Sequence, residues 1–267
     1  MDVILDARCG MVPDKSKPLV SSHDPYHQLL MTYGYVERDA PVGDFLKHVQ
    51  GFSGRWLVAS PLYWQATHND AMVVAAGPAL AITDEASRAL CEMYAAFLLE
   101  ERVVLRYHNR YTWLIQTDES INTTALHGLL NRSIRPFLDA LKSTPYWLRL
   151  ITESQLFLHA HAEQKGLKVN GLWIWGEGEL KQKQGRPLVV WADDPSYEKA
   201  CGYLSSQVRR FLRDDVFQKE TIIFVPEQAT ERAVELEARL KNSRIHWYWA
   251  DQAYETEPLS WFRRLWR

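Results

Sequence analysis

Short apolar runs alternate with helical patterns throughout the second half of the chain. The runs are Leu172–Trp175, Leu188–Trp191, Thr221–Val225 and Ile245–Trp249. Continuous apolar runs of this length are typical of strands that are buried on both faces. Asp194-Pro195 places a capping carboxylate before a proline, which predicts a helix to about Leu212, and another helix is expected over Glu231–Lys241. The alternation predicts an α/β fold with a largely parallel central sheet and flanking helices.

The first half of the chain predicts an irregular α+β arrangement. Helices are expected from Pro25 to Gly34, from Pro41 to Val49, from Asp84 to Glu100, from Ile134 to Leu141 and from Tyr146 to about Gln164. Strands are expected at Val3–Leu5, Trp56–Ala59, Met72–Ala75 and Ala79–Ile82, and a hairpin at Val103–His108 with Tyr111–Gln116. No linker divides the chain, so we expect one α/β domain over residues 1–267.

Composition and charge narrow the class of protein. Thirty-one Lys+Arg residues against 33 Asp+Glu give a formal net charge of -2 over 267 residues. A dedicated nucleic-acid binder has a strong basic bias, so none is expected here. The longest apolar stretch, Ala71–Ile82, is interrupted by Gly77-Pro78 and is shorter than the ~20 residues that span a bilayer. No transmembrane segment is therefore predicted.

The cysteines and the N-terminus indicate a reducing compartment. Cys9, Cys91 and Cys201 are odd in number, widely spaced and without a CxxC pair, so neither a disulfide framework nor a zinc knuckle is indicated. The opening residues, Met1–Arg8, carry an acid where a secretory signal is basic. A cytoplasmic protein is expected.

Two strand ends could carry a ligand, because open α/β sheets bind ligands beyond the carboxyl ends of their strands. Gly176-Glu177-Gly178 follows a tryptophan-rich strand, and its glycines would let backbone N–H groups approach an anion, although a tight turn explains the same residues. Asp193-Asp194 could bind a divalent cation or act as acid and base, although a helix cap explains Asp194.

The histidines supply no complete metal site. His159 and His161 lie two apart and so on opposite sides of the predicted helix, whereas His159 and Glu163 share a face and could form either a metal pair or a solvated contact. His23 and His27 flank Asp24, which a helix cap already explains. None of these groups reaches the ligand count of a zinc or two-metal site, so we predict no metal ligand.

The C-terminal residues combine aromatic and basic side chains. Leu259–Arg267 contains Trp261, Phe262 and Trp266 together with three arginines. Residues 258–267 could contact a partner protein or an anionic membrane surface. A terminal helix docked on the core explains the same pattern and is favoured.

One motif resembles a known family. Asn170–Gly178, an Asn-x-Leu-Trp-x-Trp-Gly-x-Gly pattern preceded by Leu158–His161, resembles bacterial regulatory or uncharacterised proteins described as cofactor-independent phosphoglycerate mutase-like. Trp56–Tyr63 is similar to a strand end of that group. The resemblance covers roughly residues 55 to 180 and implies an alkaline-phosphatase-like α/β sandwich. It implies ligand-binding roles for the following residues: Asn170, Gly176, Glu177, Gly178 and His161.

The chain departs from that family at its charged positions. Ser60–Tyr63 stands where the group has Asp-Pro-x-His, and His161–Gln164 where it has His-Pro-Val-Asn. Trp175 replaces an arginine that would contact phosphate in archaeal mutases, and Asp6–Gly10 lacks the Asp-Gly-x-Gly metal site. Phosphoryl transfer needs cations or Arg/Lys to stabilise the transferring group. These departures predict a protein without the full two-metal catalytic set.

Three functions follow from the sequence. The leading hypothesis is a cytoplasmic relative of cofactor-independent phosphoglycerate mutase that is regulatory or binds a small anionic or phosphorylated ligand, with no cofactor predicted. The first alternative is an active phosphoglycerate mutase-type isomerase or phosphatase that uses manganese or zinc, with ligands such as Asp6, His23, Asp193 and His161. The second alternative is a tryptophan-rich protein-interaction module.

Overall fold

The chain forms two compact units in a computed structural model. The parallel-sheet unit comprises Met1–Tyr35 and Leu180–Arg267, and the antiparallel-sheet unit comprises Val36–Glu179. A single domain over 1–267 stays a prediction. The structure describes residues 1–66, 70–101, 103–181, 189–192, 194–210, 217, 220–226 and 229–258.

The parallel-sheet unit contains a seven-stranded sheet. Its strands are β1 (Asp2–Leu5), β2 (Lys17–Pro18), β8 (Val189–Ala192), β9 (Val208–Arg210), β10 (Thr221–Val225), β11 (Ile245–Tyr248) and β12 (Ala253–Thr256). They lie in the order β2-β12-β11-β1-β10-β8-β9. The pairs from β11 to β9 are parallel, and β12 is antiparallel to β11 and β2. This arrangement confirms the predicted largely parallel sheet.

Helices cover both faces of the parallel sheet. They are α1 (Pro25–Thr32), α6 (Pro195–Cys201) and α7 (Ala229–Leu240). Leu236 of α7 packs in one core with Val3, Trp191 and Ile223. Residues of the strands point alternately to the two faces. On the other face, Phe224 therefore meets the rings of Tyr26 (α1) and Tyr197 (α6), whose centroids lie 6.1 and 5.5 Å away.

The antiparallel-sheet unit is built around one long strand. Its strands are β3 (Trp56–Ala66), β4 (Ala71–Ala76), β5 (Val104–Asn109), β6 (Thr112–Gln116) and β7 (Gly171–Trp175). β3 pairs antiparallel with β4, β6 and β7, and β5 forms a hairpin with β6. The helices of this unit are α2 (Val42–Gln50), α3 (Asp84–Leu98), α4 (Arg135–Ala140) and α5 (Pro145–Glu163). α2 packs on β3, α3 on β5, and α5 on β7 and α3.

Local signals located most helix starts correctly. The Asp24 carboxylate accepts a hydrogen bond from the His27 N–H, and Thr83 Oγ1 accepts one from the Ala86 N–H. Asp194 Oδ1 likewise accepts from the Ser196 N–H at 2.8 Å. The predicted caps at Asp24 and Asp194 are confirmed, because each depends on residues two or three positions apart.

Three predictions about elements are wrong. The run Leu172–Trp175 forms a strand, but β7 belongs to the antiparallel sheet. Ala79–Ile82 is no strand, since Gly77–Leu80 forms a 3-10 turn that ends at Ala81 with φ +50°. The helix after Asp194 stops at Cys201, and the chain then forms β9. No helix of the described residues is long and apolar enough to cross a membrane.

Candidate functional site

The turn Gly176–Gly178 lies directly after β7 and packs against the start of α2. Gly176 and Gly178 have φ values of +79° and +140°, conformations that favour glycine. The Gly176 carbonyl accepts a hydrogen bond from the Gly43 N–H at 3.0 Å. α2 has no side-chain cap, so this carbonyl satisfies one of the N–H groups that a helix start leaves open.

Glycine at these positions is required by close packing. A Cβ on Gly176 would lie 3.2 Å from the Gly43 nitrogen, and a Cβ on Gly178 would lie 3.0 Å from the Cβ of Pro41. A Cβ on Gly43 would lie 2.2 Å from the Trp56 carbonyl oxygen, inside any permitted contact. The turn therefore holds α2 against β3, as the tight-turn explanation of these glycines expected.

Glu177 joins the turn to a neighbouring segment. One carboxylate oxygen pairs with Arg55, and the other accepts the Ile121 N–H at 2.6 Å. Arg55 also donates to the Ser120 hydroxyl at 3.1 Å and to the Asp118 carbonyl at 3.3 Å. Both side chains are about one-third exposed. The contacts of Glu177 are thus to protein groups that hold residues 118–121 in place.

Asn170 extends the hydrogen bonding of β3 beyond the end of β7. Its side-chain oxygen accepts from the Trp64 N–H at 2.9 Å, and its amide nitrogen donates to the Trp64 carbonyl at 2.7 Å. The register of β3 with β4 shifts between Tyr63 and Trp64. The pairing of β3 with β7 ends at Leu62 and Gly171, so the buried Asn170 amide supplies hydrogen-bond partners for the Trp64 backbone beyond the end of β7.

His161 lies on α5, apart in sequence from the turn. Its Nδ1 contacts the Phe157 carbonyl oxygen at 2.8 Å, and its ring stacks on Phe157 with centroids 4.1 Å apart. His159 and Glu163 form an exposed contact of 3.4 Å, the solvated contact considered from their spacing. The ligand-binding roles proposed for Asn170, the 176–178 turn and His161 stay predictions.

The carboxyl edge of the parallel sheet carries a second candidate site. Asp6 directly follows β1, and Asp194 follows β8, which is parallel to β1 through β10. Asp6 Oδ2 accepts the Tyr26 hydroxyl at 3.0 Å. The Tyr26 and Tyr197 hydroxyls lie 3.3 Å apart, and their rings stack at an interplanar angle of 2°. A carboxylate and two phenols thus meet where ligands bind in open sheets.

The protonation of this cluster follows from its geometry. Burial first, and then the Asp6 carboxylate, raise the pKa of Tyr26 well above its ordinary value of 10.0. Tyr26 therefore keeps its proton and donates a hydrogen bond to the Asp6 carboxylate. The Tyr197 hydroxyl lies 3.3 Å from the Tyr26 oxygen, and either hydroxyl can donate in that contact. The two phenols and the Asp6 carboxylate thus form one polar cluster.

The described side chains do not fit a two-metal centre. Within the described ranges, no group of three or more His, Cys, Asp and Glu side chains could hold a metal ion. Asp6 contacts a phenol, and Asp194 caps α6. Asp193 lies outside the described residues, as do His68 and the tail Leu259–Arg267.

Sequence reasoning missed the aromatic partners of these acids. Tyr26 directly follows Pro25, and Tyr197 lies two residues after Pro195. Nothing local indicates that the two tyrosines meet. Arg55 was missed for the same reason. The available signal was position: both tyrosines lie in the first turn of helices that begin at the carboxyl edge of a predicted parallel sheet.

Comparison with known proteins gives weak neighbours only. No family model matches the chain, and no curated protein matches it. It is similar to the PH0037 protein from Pyrococcus horikoshii, with 13% identity, 94% of this chain and 76% of that chain covered, and a TM-score of 0.41. It is also similar to a cofactor-independent phosphoglycerate mutase from Thermoplasma acidophilum, with 10% identity, 95% and 88% covered, and a TM-score of 0.35.

Proposed function

We propose that this protein is a relative of the cofactor-independent phosphoglycerate mutases that binds a small anionic ligand in a regulatory role and does not carry their two-metal chemistry. We also propose that the chain has the alkaline-phosphatase-like α/β sandwich fold that the sequence motif implies. The observation that carries it is the contact of Asp6 with the neutral Tyr26 hydroxyl. A two-metal site would need that carboxylate as a charged ligand beside a cation.

The same edge offers groups that suit an anion. Arg209 and Arg210 end β9, which is parallel to β8, so their backbone lies at the carboxyl edge as well. Both arginines are exposed, and Arg8 follows Asp6 in an exposed position. Guanidinium groups bind carboxylate and phosphate through paired N–H donors. A phosphorylated or carboxylate ligand matches these groups better than a cation does.

The thiols support a reducing, cytoplasmic setting for this function. Cys9, Cys91 and Cys201 are all free, and burial raises the pKa of Cys91 and of Cys201 to about 12. Thiols of this kind remain protonated and unreactive. Neither buried cysteine is therefore expected to act as a nucleophile.

Calorimetric titration with 3-phosphoglycerate and with inorganic phosphate tests the proposal on the full chain. We expect binding that weakens at least tenfold when Arg210 is changed to Gln, while the exposed Lys168→Gln control on the other unit leaves it unchanged. A parallel assay measures turnover of phosphoglycerate and p-nitrophenyl phosphate with manganese. Turnover that a chelator abolishes would overturn the proposal in favour of the active enzyme.

A further inference from the structure

A cavity lies at the edge of the parallel sheet opposite to Asp6. It has a volume of about 470 Å³ and is lined by the end of α7, the start of β11, the end of β12 and residues 13–16. Ile245 is the first residue of β11, and Thr256 is the last residue of its antiparallel partner β12. The cavity is therefore at the amino edge, away from Asp6. Its size is within the range of small-molecule sites.

The inner wall of this cavity is apolar. Leu240, Ile245 and Trp247 line it and are 5% exposed or less, and Pro13 and Pro258 lie at its margin. The Trp247 indole N–H donates to Thr256 Oγ1 at 3.0 Å. Trp247 is 2% exposed and so lies beneath the cavity surface, whereas Pro13 and Pro258 are exposed and supply apolar surface that a ligand can contact. Such a wall favours a flat aromatic or aliphatic body.

The charges around the cavity are unevenly paired. Glu257 pairs with Lys17 at 3.1 Å and with Arg244 at 3.9 Å, and these two cations also pair with Glu255, at 3.7 and 2.9 Å. Lys15 and Lys241 also line the cavity, and no described residue forms an ion pair with either of them. Glu237 is the remaining acid in the wall. Two uncompensated lysines against one carboxylate leave a surplus of positive charge beside an apolar surface.

We propose that this cavity binds a small amphipathic carboxylate, with its apolar body against Pro13, Pro258 and Leu240 and its carboxylate between Lys15 and Lys241. Burial of the body supplies affinity, and the lysines select the sign of the head group. This site shares no residue with the carboxyl edge, so it does not depend on the function proposed above.

Two probes with the same ring and opposite charges test this site on the full chain. 2-Naphthoate and 2-naphthylmethylamine present the same ring with opposite charges, and calorimetry measures the Kd of each. We expect the anion to bind at least tenfold more tightly than the amine. The double variant Lys15→Met, Lys241→Met should remove that preference, because both lysines are exposed and their replacement spares the core.

Two further variants locate the binding. Glu237→Gln should tighten 2-naphthoate binding because it removes a repelling charge, and Lys168→Met, an exposed lysine of the other unit, should leave it unchanged. Equal affinity for both probes, no binding at millimolar concentration, or no effect of the lysine substitutions would overturn the proposal. So would binding seen only after removal of residues 259–267, since the tail would then be the occupant.

Discussion

Strands β7 and β8 look alike in sequence and occupy different kinds of sheet. Gly171–Trp175 and Val189–Ala192 are buried at every position, and both contain tryptophan. β8 lies between β9 and β10 in a parallel sheet, whereas β7 pairs antiparallel with β3. A continuous apolar run thus reports that a strand is covered on both faces. It carries no information about the direction of its partners.

The surroundings of each strand explain the difference. Within β7, the Trp175 indole donates to the buried Ser60 hydroxyl at 2.9 Å, and the Ile174 carbonyl accepts from Thr123 Oγ1 at 2.6 Å. Just before β7, Asn170 bonds both backbone groups of Trp64. β8 instead leads within two residues into the capped helix α6, the connection that parallel strands require. The two strands differ in the polar contacts that individual residues make, and not in their apolar pattern.

The largest expected effect comes from closing the space between α2 and β3. Gly43→Ala would place a Cβ 2.2 Å from the Trp56 carbonyl oxygen and 2.7 Å from Leu57 Cα. Backbone atoms cannot yield, so we expect a loss of about 3 kcal/mol in the free energy of unfolding by urea. Gly10→Ala, which meets nothing within 4 Å, is the control. Equal stability of the two variants would contradict the packing described for the antiparallel-sheet unit.

The next effect tests the polar contact that distinguishes β7. Asn170→Ala leaves the buried N–H and carbonyl of Trp64 without their side-chain partner. Each unpaired buried group is costly, so we expect a loss of about 2–3 kcal/mol in urea unfolding. Asn122→Ala removes an exposed contact to Arg38 and should cost less than about 0.5 kcal/mol. If Asn170→Ala had the same free energy of unfolding as the wild type, the placement of β7 would be unexplained.

An alkaline pH series tests the tyrosine cluster of the parallel-sheet unit. Folding raises the pKa of Tyr26 above 10.0, so the folded state holds this proton more tightly than the unfolded state does. The stabilisation is fully present below pH 10 and is lost as pH rises toward the folded pKa. Above pH 10, the wild type should lose about 1.4 kcal/mol per pH unit more than Tyr26→Phe. Parallel curves from urea unfolding would refute the buried, neutral phenol.

The smallest effect is expected at Glu177. Glu177→Gln keeps an oxygen for the Ile121 N–H and loses only the charge opposite the partly exposed Arg55. Ion pairs of this exposure contribute little, so we expect a change of less than about 1 kcal/mol, reduced further by salt. Glu177→Ala, which loses both contacts, should cost more. If Glu177→Gln instead abolished binding of phosphate, the predicted ligand role of this residue would gain direct support.

The sequence alone determined the caps, most of the helices and the burial of the strands. The Asp24 cap joins residues three positions apart, so its signal lies within one turn of chain. Likewise, an apolar run records the burial of a strand in its own residues.

Only the tertiary structure decided which sheet each strand joins and which side chains contact Asp6 and Glu177. Tyr26 and Tyr197 are 171 positions apart, and Arg55 and Glu177 are 122 apart. Local periodicity reports how each segment is buried but not which distant segment buries it, because many partners satisfy the same apolar face. The contact of Asp6 with the Tyr26 hydroxyl, which carries the proposed function, belongs to this second group.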